Sequence, residues 1–273
     1  MRGRGKASLR DLAGDATLRA ELLNTLALFG DSITVSMAFW APLTPGSMEA
    51  PEEWKPALER VWKYQREECW RRWRGPEFGN EGRMTIRWAH ENVDAWLEKL
   101  NPEAAVMMFG TNDLGELEHE EYEAKTRDVI RRCLENGTVL MLTTIPPRSG
   151  MQEKASGFAE IARRVARDLR VPLIDYHAEI LKRRPEDWDG SAPQFREAVE
   201  AGGSEYEAPA PLSADGVHPS NPREYQDYSE KSLNNNGFAL RNYMTLLRYA
   251  EVIEQVLEPA GAEASDAGES PDH

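Results

Sequence analysis

At residues 104–113 the chain reads AAVMMFGTND: six apolar residues in succession, then four that favour turns. An unbroken apolar run of this length suits a strand covered on both faces, as in a parallel sheet. Strand-like runs recur at 25–29 (TLALF, stopped by Gly30-Asp31), at 139–143 and at 172–174, and a short one is expected at 77–79. Helical patterns fill the gaps: a Trp-rich stretch at 52–73, then 85–100, 120–135 and 153–169. In 85–100 the residues Ile86, Ala89, Val93, Trp96 and Leu97 recur at helical spacing, and Asn136-Gly137 is a typical helix stop. Strands alternating with helices in this way imply βαβ crossovers and a parallel sheet with helices on both faces.

The last helix is expected at 242–257. No internal repeat is visible, so the chain reads as one folded domain, 24–258, between a polar N-terminal extension (1–23) and an acidic tail (259–273). A short helix is expected near 18–23, and the tail composition predicts disorder. Residues 184–214 show no period and many Pro, Gly and acidic residues. A loop of that length inside a compact domain is expected to be functional or mobile.

Composition narrows the function. The chain has 273 residues with 33 Lys+Arg against 47 Asp+Glu, a formal charge of −14, which disfavours nucleic acid or an anionic membrane as partner. No run approaches the roughly 20 apolar residues of a membrane span, so stable insertion is not expected. The opening MRGRGK is basic like a secretory leader but no apolar stretch follows it. A cytoplasmic location is therefore the default expectation, with export the alternative if a leader has been removed. Two cysteines, Cys69 and Cys133, exclude a disulfide-rich scaffold and a cysteine-based zinc cluster, and leave their own pairing open.

Ligands of open parallel sheets collect beyond the carboxyl ends of the strands. There the sequence places Gly30-Asp31-Ser32-Ile33 after one run and Gly110-Thr111-Asn112-Asp113 after another. Asp215-Gly216-Val217-His218-Pro219 follows the long loop. A serine hydroxyl is a weak nucleophile until a base takes its proton, and imidazole suits that task near neutral pH. A carboxylate on the other ring nitrogen fixes the tautomer. Asp215 and His218 stand three apart, so one tight turn can present both, with Gly216 permitting its backbone angles. Acyl transfer also needs donors for the developing oxyanion. The Ser32 N–H, the Asn112 amide and the Gly82 N–H, in a Gly79-Asn80-Glu81-Gly82 turn, are candidates.

These blocks, GDSI, GNEG, GTND and DGVHP, stand in the order that defines the SGNH, or GDSL-type, hydrolases, and the chain resembles that family from about Leu26 to Pro219. The resemblance implies a three-layer α/β/α sandwich with a five-stranded parallel sheet, like flavodoxin and distinct from the α/β-hydrolase fold. It also implies Ser32 as nucleophile, His218 as base, Asp215 as its partner, and Ser32, Gly82 and Asn112 as oxyanion donors. The family often carries a fuller N-x-G-x-x-G run than the GNEG turn, so Gly82 has the least sequence support. The function expected is a serine esterase without cofactor, acting on a small-molecule or carbohydrate ester such as an acetylated sugar. The alternatives are an acyltransferase using the same residues and a non-catalytic carbohydrate- or lipid-binding protein.

Other readings compete for the same residues. Taken alone, Ser32 is a serine that caps a helix. Asp113 is expected to hold its loop rather than to act on substrate. His177, with Asp175, rivals His218 because it too follows a strand. Asp31, Asp215 and His218 can also be read as metal ligands, but no further regularly spaced ligands accompany them. Six of the eight tryptophans fall between 54 and 96, among basic residues; a packed helix face explains them better than a stacking platform, given the acidic chain. Met37 and Trp40 are expected to line an acyl or sugar pocket, and Trp188 a mobile rim.

Overall fold

The computed structural model describes residues 23–48 and 51–258. The expected helix near 18–23, the N-terminal extension up to residue 22 and the tail at 259–273 lie outside them. In chain order the strands and α-helices are β1 (Leu26–Gly30), α1 (Ser32–Val35), α2 (Lys55–Tyr64), α3 (Glu68–Arg71), α4 (Ile86–Leu100), β2 (Ala104–Met108) and α5 (His119–Glu135). There follow β3 (Val139–Thr143), α6 (Gln152–Leu169), β4 (Leu173–Ile174), α7 (Tyr176–Arg183), α8 (Arg196–Gly202), α9 (Glu230–Asn235) and α10 (Gly237–Val252).

The four strands pair in parallel in the order β1-β2-β3-β4, with Leu26 opposite Ala104, Ala104 opposite Val139 and Leu142 opposite Leu173. Every residue of β1 and β2 is buried, which requires cover on both faces. Helix α5 packs between α4 and α6, while α10 packs on α2, α7 and the short β4. The result is a three-layer α/β/α arrangement.

The sheet has four strands rather than five. At 77–79, where a strand was expected, Pro76–Phe78 forms a turn of 3₁₀ helix, and a single parallel bridge joins Gly30 to Asn80. Pro76 has no N–H for a ladder, and Gly79 turns the chain through the left-handed region at φ 84°. The Asn80 amide instead donates to Leu28 O at 2.8 Å, so a side chain continues the edge of β1 where backbone pairing stops.

The helix expected over 52–73 is broken into a 3₁₀ turn, α2 and α3. Its interruption has a tertiary cause: Arg66 N–H donates to Asn24 O, and the Gln65 amide oxygen accepts from Trp40 Nε1. Trp54, Trp70 and Trp96 are buried, so this part of the tryptophan set builds core rather than a binding strip. The last helix begins earlier than expected because Asn236 caps it, its side chain accepting from Ala239 N–H; a π-helical turn, Ile253–Leu257, ends it.

Residues 184–214 are folded. They contain the 3₁₀ turns Pro193–Phe195 and Glu205–Glu207 with α8 between them, and Phe195, Ala208 and Ala210 form a small core of their own. Trp188 is not a rim residue; it is buried and belongs to the main core. Cys69 and Cys133 are free, buried thiols. Among the described residues no helix is long and apolar enough to cross a membrane.

Candidate active site

Strand β1 ends against a tight constraint. A Cβ on Gly30 would lie 2.1 Å from Thr34 Oγ1 and 2.7 Å from Met108 O, so only glycine lets the chain turn from the sheet straight into α1. Asp31 caps that turn, Oδ1 accepting from Ile33 N–H at 3.0 Å, and Ser32 becomes the first residue of α1. Its backbone N–H is one of those a helix leaves without an internal acceptor. Two arginines brace the short helix from behind. Arg241, fully buried, donates to Ile33 O at 2.8 Å and to Thr34 Oγ1 at 3.0 Å, with its guanidinium over the Phe39 ring. Arg74 donates to Thr34 O and Phe39 O.

Asp215 and His218 share one loop, as the spacing suggested. Ser213 N–H donates to His218 O at 2.8 Å, closing the loop at its base, and Gly216 takes φ 68° at its tip. His218 Nε2 lies 2.9 Å from Ser32 Oγ, and His218 Nδ1 lies 2.5 Å from Asp215 Oδ2. Hydroxyl, imidazole and carboxylate therefore stand in series. Asp215 Oδ1 accepts from Ser213 Oγ and from the N–H groups of Val217 and His218. Burial favours the neutral acid, but the hydrogen bonds from His218, Ser213 and the two amides outweigh it and hold the carboxyl well below its usual range. The hydrogen bond that His218 donates to Asp215 raises the His218 pKa above its ordinary value, against partial burial and the nearby charge of Arg148.

Asn112 also reaches this edge. Its Nδ2 donates one proton to Met84 O at 2.9 Å, and the amide carries a second. Gly82 is less clearly placed for the task. Its N–H is held by the carboxylate of its neighbour Glu81 at 2.6 Å, and nothing lies near where its Cβ would be. Asp113 is structural in geometry, both its oxygens accepting from Ile86 N–H at the start of α4. Burial pushes its pKa up to about 7, and the Asp31 charge adds to the rise. Burial likewise raises Asp31 to about 6, against the Ile33 N–H and the charge of Arg241.

The rival residues lie elsewhere or are otherwise engaged. His177 is 2% exposed; its Nδ1 lies 3.2 Å from Ile145 O and its Nε2 3.3 Å from Ser156 Oγ. Asp175 does not bond that ring: it takes Arg163 at 2.7 and 3.0 Å, Thr144 Oγ1 and Ala178 N–H. Asp31 and Asp215 do not join His218 in a metal-holding group: among the described residues no three His, Cys, Asp or Glu side chains cluster for one. Trp40 does not line a pocket. It is fully buried, stacked on Trp70 with ring centroids 5.3 Å apart, its backbone N–H bound to Asn242 Oδ1. Met37 is exposed.

Sequence reasoning misses several residues of the site. Ser213, two before Asp215, has the spacing of a side chain that closes a turn, and a charged residue in the apolar stretch of the last helix marks Arg241. Tyr206 comes from the 184–214 segment; its ring lies 6.1 Å from that of His218.

The fold and this edge of the sheet define the class as a three-layer α/β/α protein of the SGNH-hydrolase type. The chain belongs to the GDSL-like Lipase/Acylhydrolase family, whose model matches residues 28–222. Among solved structures it is similar to the psychrotrophic esterase EstA from Pseudoalteromonas sp., with 13% identity, 84% of this chain and 98% of that one covered, and a TM-score of 0.52. The lipase/acylhydrolase from Enterococcus faecalis gives 15% identity, 83% and 95% coverage and a TM-score of 0.50. The acetyl xylan esterase AlAXEase gives 15%, 84% and 99%, and 0.50. No protein of curated function matches this chain by sequence.

Proposed function

We propose that this chain is a serine carboxylic ester hydrolase that works through an acyl-enzyme on Ser32. The observation that carries the reading is the unbroken series Ser32 Oγ, His218, Asp215, at 2.9 and 2.5 Å, on a half-exposed edge of the sheet. Ser32 Oγ attacks the ester carbonyl carbon as its proton passes to His218 Nε2. The tetrahedral oxyanion is held by the Ser32 N–H and the Asn112 amide. Gly82 joins them once Glu81 releases its N–H.

Collapse expels the alcohol, which takes the proton from His218, and leaves the acyl group on Ser32. Water then attacks the acyl carbonyl, His218 accepts its proton and returns it to Ser32, and the acid departs. Asp215 keeps Nδ1 protonated throughout and stabilises the transient imidazolium. The chemistry calls for no cofactor. A small acyl group on a carbohydrate hydroxyl is the substrate we favour, the class for which one of the fold neighbours is named.

Incubation with a fluorophosphonate, followed by intact mass and peptide mapping, tests the reading. A single adduct on Ser32, absent from Ser32→Ala, is expected. A folded protein that takes no adduct would overturn it. Adding an alcohol acceptor to the ester assay separates hydrolysis from acyl transfer, and free acid is expected as the main product.

A further inference from the structure

Most of the partly or fully buried arginines of this acidic protein are accounted for. Arg74, Arg127, Arg132, Arg163, Arg164, Arg183, Arg184 and Arg241 all donate to carboxylates or carbonyls. Arg148 is different. It is half-buried, and among the described residues its side chain makes no hydrogen bond or ion pair. A guanidinium with no partner inside the protein keeps its fork of donors open to an anion that arrives from outside.

Its place in the fold says where that anion would sit. Arg148 lies in the loop from β3 to α6. The next residue, Ser149, donates its N–H to Gly216 O at 3.0 Å. A Cβ on Gly216 would lie 2.4 Å from Ser149 Cβ, so the two loops touch backbone to side chain at the turn between Asp215 and His218. Ser149 Oγ and Ser191 Oγ, 3.2 Å apart, tie the same loop to the 184–214 segment. Met151 N–H donates to Arg148 O, which fixes the backbone from its other side. The guanidinium is near enough to His218 to lower that ring's proton affinity.

In ester cleavage by a serine and a histidine, the imidazole hands its proton to the leaving alcohol. Groups that border His218 therefore border the alcohol portion of the substrate. We propose that Arg148 is a specificity-determining residue that binds an anionic group, carboxylate or phosphate, on the alcohol portion of the ester. A planar guanidinium suits either group because it offers paired, charge-assisted donors. The proposal rests on the ester-hydrolase reading above and adds the substrate's charge to it.

The test uses the full chain and matched acetates. Acetylated glucuronate against acetylated glucose isolates a carboxylate; acetylated glycerol phosphate against acetylated glycerol isolates a phosphate. Acetate release gives kcat/KM for each, in the wild type, Arg148→Ala and Arg148→Lys. The wild type is expected to prefer the anionic member of at least one pair by about tenfold or more, the scale of a charge-assisted contact. Arg148→Ala should remove that preference, chiefly through KM, and Arg148→Lys should keep part of it. Equal turnover within both pairs, or a preference that survives Arg148→Ala, overturns the proposal.

Calorimetric binding of glucuronate and glycerol phosphate, to the wild type and to Arg148→Ala, separates this inference from the reading beneath it. Binding that depends on Arg148 in a protein that hydrolyses no ester would defeat the esterase and keep the anion site. Ester turnover without such binding would do the reverse.

Discussion

Among the described residues two Asp–His–Ser groupings occur, and in only one does the carboxylate bond the imidazole. In one, the Asp215 carboxylate meets His218 Nδ1 while His218 Nε2 faces Ser32 Oγ at a partly open edge. In the other, Asp175 turns to Arg163, and the His177 ring is left between the Ile145 carbonyl and Ser156, at 2% exposure. The residue types are identical. What differs is the carboxylate's partner and the ring's access to solvent. Spent on the imidazole, the carboxylate raises its proton affinity; spent on an arginine, it leaves the ring to burial, which lowers it.

Paired serine substitutions should show the largest contrast. Ser32→Ala is expected to lower kcat by about 10⁴-fold or more, whereas Ser156→Ala stays within roughly twofold of the wild type, with Tm recorded for both to exclude unfolding. Comparable losses in the two would erase the distinction. Paired aspartate substitutions come next. Asp215→Asn should cost about 10⁴-fold in kcat, because the wrong tautomer then faces Ser32. Asp175→Asn should cost about 1 kcal/mol of stability or less, since its ion pair with Arg163 is partly solvated.

The smallest effect is the most diagnostic. In an NMR titration the His218 ring should gain its proton at a pH above 6.5 and the His177 ring below it, following their opposite shifts. In the proposed mechanism His218 must be neutral, so the acid limb of kcat/KM should fall as pH drops through the His218 value, not the His177 one. Arg148→Ala should move that limb upward, because it removes a positive charge that opposes protonation. An acid limb that tracks the His177 titration instead would reverse the assignment.

The strand ends were legible in the sequence because an apolar run followed at once by Gly and polar residues has few other meanings. Ser32 and Asn112 fall at strand ends for that reason, whereas Asp215 and His218 follow the long loop and are marked by their mutual spacing and the order of the blocks. His177 kept its standing as a rival because sequence shows that Asp175 is near, and not that Arg163, on α6, has claimed it. The same limit applies to the helix expected over 52–73, broken by Gln65 and Arg66 through contacts with Trp40 and Asn24. At 77–79 a side-chain amide stands in for backbone pairing, which no periodicity records. Trp40 and Trp188 differ from expectation in one way: a large aromatic near a candidate site reads as part of its surface, and both are core.

The segment from 184 to 214 has little regular structure, yet it is stitched to the loop of Asp215 and His218. Leu212 N–H donates to Trp188 O, Ala214 N–H to Glu205 O, and Ser191 meets Ser149. A protease needs several consecutive residues to peel into an extended strand, and each of these ties resists that. Between 185 and 222 the chain offers trypsin one basic residue, Arg196, which is exposed but lies within α8. Native digestion should therefore leave the stretch uncut while the unfolded chain is cleaved there. Early scission at Arg196 would show that the brace opens on its own, and that the histidine it supports is steadied by something else.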